Sequence, residues 1–505
     1  MEGSLLYTII TAALVIIFVL FLSHRRRSRG YQLPPSPAAA LPIIGHLHLL
    51  KEPLHQTLQR FSEACGPIFL LRLGVRKVVV VSSPELLEEC YTAYDVALSN
   101  RPRIMSDKYI GYDHTTMAGA PYGDRWRSLR RLAAQEVLST ARINSFTEIR
   151  HDEAKRTLQS MVSRVGESGK LQLSLRPELY DLIFNVIMRM LTGKRYIKGE
   201  YLSHDRLADG YREIMSEFFE NAQTSNPEDF LPFLKWVDYR GLKKKMASLG
   251  GRLDNFYQSL LQEHRQEKRN TIIGHLLSLQ ESDPQFYDDQ LVKGFMTNMI
   301  VGSLDTSVVT IEWAMCLLLN NPNIFKTARQ ELDSQIGLDR LVEEQDLSNL
   351  PYLHGIIMET LRMFPPGPLM LPRESSTDCV IGGYDVPNGT IVLVNAYAIQ
   401  RDPKSWDDPA SFKPERFIGK DVELRKMLPF GVGRRSCPGS VLAHRMLGLI
   451  LGSLIQCFDW ERMNSEKVDL TEGAGLTLPK LQPLEAICKP RVSMVKVIQE
   501  SDNVD

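Results

Sequence analysis

The stretch FGVGRRSCPG, from Phe430 to Gly439, places one cysteine among glycines and arginines and directly before a proline. Taken alone, Cys437 would be an inert buried thiol, because free cysteine behaves as a small hydrophobic side chain. Pro438 suits the first turn of a helix, and the apolar run at 440–456 predicts a long helix there. The sulfur would then lie at a helix N-terminus, where free amides and the helix dipole stabilise a thiolate.

The neighbours of Cys437 indicate a flat ligand with an acidic edge. Gly433 and Gly439 have no side chains and would let such a ligand approach the backbone closely. Arg435 would meet an anion on the edge of the ligand. A thiolate with this clearance and this cation is typical of an axial iron ligand in a haem pocket.

The same stretch resembles the haem-binding signature of the cytochrome P450 superfamily, F-x-x-G-x-R-x-C-x-G. The residues that match the signature are Phe430, Gly433, Arg435, Cys437 and Gly439. The resemblance implies that Cys437 is the axial thiolate of haem b and that the other four residues bind this cofactor. It also implies the cytochrome P450 fold, which is mainly α with a small β region.

Two further motifs extend the resemblance, and the first of them lies in the N-terminal half. In WRSLR, Trp126 and Arg130 match residues that reach a haem propionate in the family, and Arg373, after LMLP, matches another propionate contact. By themselves, the charges of DRWRSLRR would be an ordinary solvated helix face. The motifs occur in the expected order, so the resemblance covers essentially the whole chain.

The motif ETLR places Glu359 and Arg362 three residues apart and therefore on one helical face. Alone, this would be an ordinary solvated ion pair. The family couples such a pair to the arginine of PERF, here Arg416, as a structural lock behind the haem.

A long run at 291–322 predicts a buried helix, because it is apolar nearly all round. Asp305 and Thr306 lie in its middle, and the residues alone favour a back-bond from Thr306 to the preceding turn and a local partner for Asp305. The family's oxygen-binding signature, [A/G]-G-x-[D/E]-T, falls on 302–306. The resemblance therefore implies that Asp305 and Thr306 deliver protons for dioxygen.

Two positions of that signature are unusual. Gly302 stands where most plant members have alanine, and Ser303 stands where the family has its second glycine. The smaller Gly302 enlarges the space next to the iron, and a similar replacement is seen in plant relatives that close a methylenedioxy bridge. Ser303 restores some of that bulk and would alter the geometry of the oxygen site.

The N-terminal segment is expected to cross a membrane. Residues 4–23 contain the uncharged run LLYTIITAALVIIFVLFLS, about the roughly 20 residues that span a bilayer core. Glu2 precedes this run and four arginines follow it, which favours an uncleaved anchor with its positive flank in the cytosol. We expect a signal anchor at 1–28, a basic and Pro-rich hinge at 29–46 and a catalytic domain at 47–505, held on the endoplasmic reticulum membrane.

The composition excludes some classes of protein. Sixty basic and sixty acidic residues among 505 leave no global field that would attract nucleic acid. Seven scattered cysteines without a C-x-x-C pair argue against a disulfide framework or a zinc site and favour a reducing compartment. Strand patterns at Pro67–Glu85 and Asp378–Asn395 flank a long region of helical spacing. They predict a single large, mostly helical domain with a small sheet region.

Four stretches, LPPSP, DTSVVTIEWAM, NAYAIQRDPKSWDDPASFKPERF and TEGAGLTLPKLQPLEAICKPR, resemble the plant microsomal group that contains isoflavone hydroxylases and lignan-modifying enzymes. The resemblance implies that one atom of O2 is inserted into a C–H bond of a small hydrophobic aromatic metabolite. Electrons would come from NADPH through a separate membrane-bound reductase that docks near Arg434 and the DRWRSLRR helix.

Substrate contacts follow only from family positions, and in another protein each of these residues would be ordinary core or surface. The expected pocket is mostly apolar. Its residues are Phe218, Met299, Gly302, Ser303, Leu369, Met370, Leu476 and Thr477.

Several alternatives to aromatic hydroxylation remain open on the sequence. One is methylenedioxy-bridge formation on an ortho-methoxyphenol, and another is oxidation of a terpenoid or alkaloid. A third is a haem-thiolate isomerase or dehydratase that needs no reductase, although such enzymes usually lack the pair found at Asp305 and Thr306. A silent membrane scaffold is disfavoured because every haem-binding position is intact.

Overall fold

The computed structural model of the protein describes residues 30–197, 214–215, 217–218, 226–236, 238–419 and 426–500. The transmembrane helix expected at 4–23 lies outside these described residues. The Pro-rich segment of the hinge is described, and the carbonyl of Pro35 accepts a hydrogen bond from Leu70 N at 2.7 Å. This contact fixes the hinge against the first strand of a sheet.

Helices make up most of the described chain, as the sequence predicts. They are Leu54–Cys65, Pro84–Thr92, Met105–Tyr109, Asp124–Leu132, Thr140–Asn144, Thr147–Ser163, Leu175–Thr192, Leu242–Gln266, Ile272–Ser282, Asp289–Asn320, Pro322–Gln335, Pro351–Met363, Ala396–Ile399, Ser440–Cys457 and Val492–Gln499.

The central helix, Asp289–Asn320, confirms the helix predicted at 291–322. It begins after Asp288, whose carboxylate accepts a hydrogen bond from Leu291 N at 2.7 Å and so satisfies one of the free amides of the first turn. It ends at Asn320, and a new helix begins at Pro322. The central helix packs against Leu175–Thr192, Pro351–Met363 and Ser440–Cys457, which explains why it is apolar on nearly all sides.

Within the described residues, strands form three small sheets, and both predicted strand regions are confirmed. The first sheet has the order β1 (Ile68–Leu73), β2 (Arg76–Val81), β7 (Ile391–Val394) and β4 (Arg373–Glu374). A hairpin pairs β5 (Cys379–Ile381) with β6 (Tyr384–Val386), and β9 (Glu485–Pro490) lies between β3 (Leu171–Ser174) and β8 (Phe458–Arg462). The first sheet brings β4, which contains Arg373, beside residues from distant parts of the chain.

Two described helices, the central helix and Ser440–Cys457, are long and apolar enough to span a membrane by length and composition. Most of their residues are buried inside the protein, as in the core of a soluble domain. They join the largest hydrophobic core, which extends from the central helix to the C-terminal helix Val492–Gln499.

Candidate active site

The signature loop, Phe430–Gly439, is closed by a backbone hydrogen bond from Cys437 N to Phe430 O at 2.8 Å. Gly433 has a left-handed φ of 71°. A Cβ on it would lie 2.5 Å from Asp95 Oδ1 and 2.9 Å from the ring of Tyr91. Gly433 is therefore required by its backbone conformation and by packing against Asp95 and Tyr91, and the clearance that it would give to a flat ligand stays a prediction.

Cys437 differs from the other cysteines of the chain. All seven are described and free, and Cys437 is the exposed one while five are buried. Protein surrounds the thiol on most sides, so burial raises its pKa, while a hydrogen bond involving Gly439 and the charge of Arg130 act in the opposite direction. The side chain is thus set into the protein but accessible on one side, as an axial ligand must be.

The helix that follows begins at Ser440, with Gly439 as its N-cap residue. Pro438 therefore lies in the turn before the helix, and the expectation that it occupies the first helical turn is wrong. The reason is that the chain needs the turn at 438–439 before the helical hydrogen bonds can begin. Cys437 still precedes the helix by only a few residues.

Four arginines meet beside the signature loop, and the structure brings three of the sequence-predicted haem contacts into this arginine cluster. Arg435 donates to the carbonyls of Ser99, Met117 and Ala120. Its guanidinium also lies 4.4 Å from the centre of the Trp126 ring. The members of the cluster are Arg101, Arg130, Arg373 and Arg435.

The described contacts pair the arginine cluster with few carboxylates, so its positive charge is not balanced by them. Arg101 donates to carbonyls of Ala118, Leu371 and Pro372, and Arg373 has one weak carboxylate contact, 3.4 Å to Asp95 Oδ1. Burial lowers the pKa of Arg435 to about 9, with Arg101, Arg373 and Arg130 adding to the effect. Burial, followed by the charge of Arg373, lowers the pKa of Arg101 to about 10.

This charge imbalance is a test of whether the residues fit haem. A group of buried cations raises the free energy of the folded protein unless an anion pairs with them. Haem carries two propionate carboxylates, which guanidinium groups bind well. The arginine cluster and the accessible thiol of Cys437 together supply the donor set that haem b requires, so the site fits the cofactor.

The helix Asp124–Leu132 is held against the signature loop. Arg130 donates from Nη1 to the carbonyl of Ser436 at 2.8 Å. Trp126 is buried and donates from Nε1 to Met117 O at 3.1 Å. This helix thus places both side chains beside the loop that contains Cys437, and their contact with a haem propionate stays a prediction.

Glu359, Arg362 and Arg416 also meet in the structure. Arg362 donates to both carboxylate oxygens of Glu359, from Nε at 2.7 Å and from Nη2 at 2.9 Å. Arg416 donates from Nε to Glu359 Oε1 at 3.2 Å. Glu359 and Arg362 are both 0 % exposed, so this is a buried ion pair with an added cation and not a solvated surface pair.

The middle of the central helix has an accessible face. Gly302 is exposed, and a Cβ built on it would meet no atom within 4 Å. Thr306 donates from Oγ1 to Gly302 O at 2.7 Å, which is the back-bond that the residues alone favour. Ser303 is half-buried. Gly302 therefore presents bare backbone on this face, where alanine would add a methyl group.

Asp305 has a partner that the sequence does not reveal. The hydroxyl of Thr477 donates a short hydrogen bond to Asp305 Oδ2. Burial raises the pKa of Asp305, while this hydrogen bond and the charge of Arg176 lower it in part. The predicted acid of the oxygen site is thus joined to a predicted substrate residue 172 positions further along the chain.

The other predicted pocket residues lie in different surroundings. Phe218 and Met299 are buried in the main hydrophobic core. Leu369 packs against the core of the first sheet, and Met370 packs beside Val432 of the signature loop. Leu476 is 47 % exposed next to Thr477.

Sequence reasoning missed a clamp in the segment between Pro102 and Gly123. Asp107 and His114 are joined through Oδ2 and Nδ1 at 2.7 Å, across a turn in which Tyr112, Asp113 and His114 all have left-handed φ angles. The same segment is attached to the central helix, because Ala118 N donates to Asn298 Oδ1 at 3.0 Å. None of the three consecutive left-handed residues is glycine, and such a run is too rare to be expected from the residue types alone.

Comparison with known proteins agrees with this geometry. A family model described as Cytochrome P450 matches residues 34–484. Cytochrome P450 81Q32 of Catharanthus roseus is 51% identical over 99% of this chain and 100% of its own length. A (+)-piperitol/(+)-sesamin synthase of Sesamum radiatum is 49% identical, with 100% of both chains covered.

An isoflavone 3'-hydroxylase of Medicago truncatula is 47% identical over 96% of this chain and 97% of its own length. Among solved structures, a zebra fish cytochrome P450 with progesterone superposes with a TM-score of 0.74 at 25% identity. The match covers 87% of this chain and 100% of that chain. Family and fold therefore agree over nearly the full length.

Proposed function

Because the chain belongs to the cytochrome P450 family, we propose that it hydroxylates a hydrophobic aromatic plant metabolite of the isoflavonoid or lignan kind. The enzyme class follows from the family: it is a monooxygenase that uses haem b, O2 and electrons supplied by a reductase. The observation that carries the substrate proposal is the similarity over nearly the full length to relatives named as an isoflavone 3'-hydroxylase, at 47% identity, and a (+)-piperitol/(+)-sesamin synthase, at 49% identity.

Haem, when bound, supplies the activation of O2 for insertion of one oxygen atom into a C–H bond. The chain's own residues are proposed to act around it. Cys437 would hold the haem iron through its thiolate, and the arginine cluster would hold the propionates. Asp305 would move a proton inward from Oδ2, and Thr306 would hold the next proton position at Oγ1.

Methylenedioxy-bridge formation is the second candidate, and two observations favour it. Gly302 leaves open space where alanine would place a methyl group, and a relative named as a (+)-piperitol/(+)-sesamin synthase is 49% identical. In this reaction the methoxy carbon is hydroxylated and the neighbouring phenol oxygen displaces water from it. Per ring closed, one O2 and one NADPH are consumed and two waters are formed.

The test is a product assay with the full chain, its reductase and NADPH, on an isoflavone, a methoxyphenolic lignan, a terpenoid and an alkaloid. We expect a product 16 mass units heavier than the isoflavone, or a product 2 units lighter than the lignan, since these are the masses of one added oxygen atom and two lost hydrogen atoms. Turnover of only the terpenoid or alkaloid would refute the proposed substrate class.

The same assay with Gly302→Ala separates the two reactions. The added methyl group points into the open space and would push the ring away, so we expect bridge product to fall by at least about tenfold, as one misplaced contact in a reactive geometry commonly causes. Simple hydroxylation should change less. If neither product changes, Gly302 has no part in selecting the reaction.

We also propose that residues 1–28 anchor the protein in the endoplasmic reticulum membrane and that an apolar patch rests on the same membrane. Trp236 is 93 % exposed and Phe233 is 53 % exposed. This segment meets the first sheet, because Val75 N donates to Phe230 O at 3.0 Å, and Val75 is itself exposed. The apolar patch is thus formed by two neighbouring parts of the fold.

Deletion of residues 1–28 is expected to release only part of the protein from membranes, because the apolar patch remains. Adding Phe233→Asp and Trp236→Asp should release most of the rest, since the substitutions remove two apolar side chains and put carboxylates where the acyl region would have to take them up. Membrane flotation measures both effects, and haem content serves as the control for folding. Full release by the deletion alone would refute a role for the patch, and loss of haem binding would refute a separately folded domain at 47–505.

The reductase is proposed to dock on the basic surface behind the signature loop. Arg127 and Arg434 both lie over the ring of Tyr122, at 5.7 and 5.8 Å. Each side chain is 50 % exposed. Arg127 is paired with Asp124 and Arg434 with Asp95, but the exposed parts of both guanidinium groups still offer hydrogen-bond donors beside the signature loop, which suits an acidic redox partner.

A further inference from the structure

The hydrogen bond between Thr477 and Asp305 joins two parts of the site that act at different stages of catalysis. Asp305 lies in the middle of the central helix, and Thr477 lies on the C-terminal loop, Gly475–Leu478. Because Thr477 donates the hydrogen bond, it binds the carboxylate form of Asp305 better than the neutral acid.

The C-terminal loop has a fixed base and an accessible tip. An isolated bridge joins Glu472 to Lys480, and Gly473 N donates to Pro479 O at 2.8 Å. Beyond this base, Leu476 exposes about half of its side chain. An apolar substrate that covers Leu476 would therefore press on the residue next to Thr477.

The end of the loop is tied to the core. Leu478 N donates to Pro366 O at 3.1 Å, and Leu478 O accepts from Trp313 Nε1 at 2.8 Å. Thr477 is therefore held between a fixed residue and an exposed one. A small displacement of Leu476 would be passed to the Thr477 hydroxyl, while Leu478 stays in place.

The charges around Asp305 do not replace this hydrogen bond. Arg176, from the helix Leu175–Thr192, lowers the pKa of Asp305 only as the last of the three causes. Arg176 is already bound to Glu312 Oε2 through two nitrogens, at 2.9 and 2.7 Å. Glu312 is fully buried, so this pair is a fixed part of the core.

We propose that Thr477 is a positioning residue that holds the carboxylate of Asp305 against the C-terminal loop until substrate displaces the loop, so that proton delivery is coupled to substrate occupancy. The inference rests on the role given to Asp305 under the proposed function. With Thr477 bound, Asp305 is kept from turning toward Thr306. Once the hydrogen bond is broken, the carboxyl group is free to pass its proton inward.

The test compares Thr477→Val, which removes the hydroxyl at nearly constant shape, with Thr477→Ser, which keeps it. Thr471→Val is the matched control, because Thr471 also donates to an aspartate, Asp469 Oδ1 at 2.7 Å, in an exposed part of the same segment. All variants are full-length proteins, and each is assayed with reductase in the absence of substrate. The infrared carboxyl band of Asp305 is identified by its loss in Asp305→Asn.

We expect Thr477→Val to shift the pKa of Asp305 upward, because the donor that stabilises the carboxylate is gone. We also expect NADPH oxidation without substrate, with release of hydrogen peroxide, to rise by at least about threefold, the factor that loss of one hydrogen bond gives. Thr477→Ser and Thr471→Val should behave like the wild type.

An unshifted Asp305 band in Thr477→Val would overturn the inference. So would NADPH oxidation that is unchanged or slower in this variant, or a Thr477→Ser variant that behaves like Thr477→Val. The role of Asp305 itself would be refuted by a different result, namely that Asp305→Asn forms product from substrate as fast as the wild type. The two failures are therefore distinguishable.

Discussion

Cys437→Ala is expected to abolish the red-shifted Soret band of the reduced carbon monoxide complex. This band requires a thiolate on the haem iron, and Cys437 is the one cysteine among the seven with an exposed side chain. The loop itself should survive the change, because its closing hydrogen bond uses the backbone N of Cys437 and not the sulfur. Absorption spectra of the purified, reduced protein with carbon monoxide measure the effect.

Cys65→Ala provides the control for Cys437→Ala, because Cys65 is partly accessible and lies at the end of the helix Leu54–Cys65. Its spectrum should match that of the wild type. Circular dichroism of both variants checks that the helical fold is kept. A full red-shifted band in Cys437→Ala would show that another residue holds the iron.

The sequence predicts the parts of this fold that depend on local pattern. The central helix lies within two residues of its predicted limits, because its apolar run and the Asn-Asn-Pro stop act on neighbouring residues. The hairpin β1–β2 also follows from a local signal, since Gly74 lies between the two strands and has a left-handed φ of 55°. The error at Pro438 is local too, because a proline suits a turn before a helix as well as its first turn.

Contacts between distant residues could not be predicted in this way. The link from Thr477 to Asp305 spans 172 positions, and neither residue type indicates the other. The packing of Asp95 against Gly433 has the same character, since it depends on how the segment after the helix Pro84–Thr92 meets the signature loop. Family positions indicated that Thr477 and Asp305 belong to one site, but only the fold gives the hydrogen bond.

Arg362→Ala is expected to prevent accumulation of folded, haem-containing protein. Arg362 donates to Glu359 and also to the carbonyls of Gln400 and Pro409, each at 2.9 Å. Its loss leaves Glu359 as a buried carboxylate with fewer partners, which costs about 3–5 kcal/mol. This is a large part of the 5–15 kcal/mol, roughly, that stabilises a folded domain. Yield of the reduced carbon monoxide complex and the midpoint of urea unfolding measure the loss.

Arg340→Ala is the matched control, since Arg340 binds Asp346 through two hydrogen bonds, at 2.7 and 2.8 Å, but is 43 % exposed. Solvent screens this pair, so its loss should cost less than about 1 kcal/mol.

The double variant Glu359→Leu/Arg362→Met tests the physical reason for the effect of Arg362→Ala. If the cost arises from an unpaired buried charge, removing both charges should restore part of the stability that Arg362→Ala loses, because apolar side chains of similar size need no partners. Arg416 would then lose its contact with Glu359 Oε1 but would keep its hydrogen bond to Asp408 O at 2.7 Å. A double variant that is no more stable than Arg362→Ala would instead assign the cost to the lost contacts with Gln400 and Pro409. An Arg362→Ala protein as stable as Arg340→Ala would refute the structural lock formed by Glu359, Arg362 and Arg416.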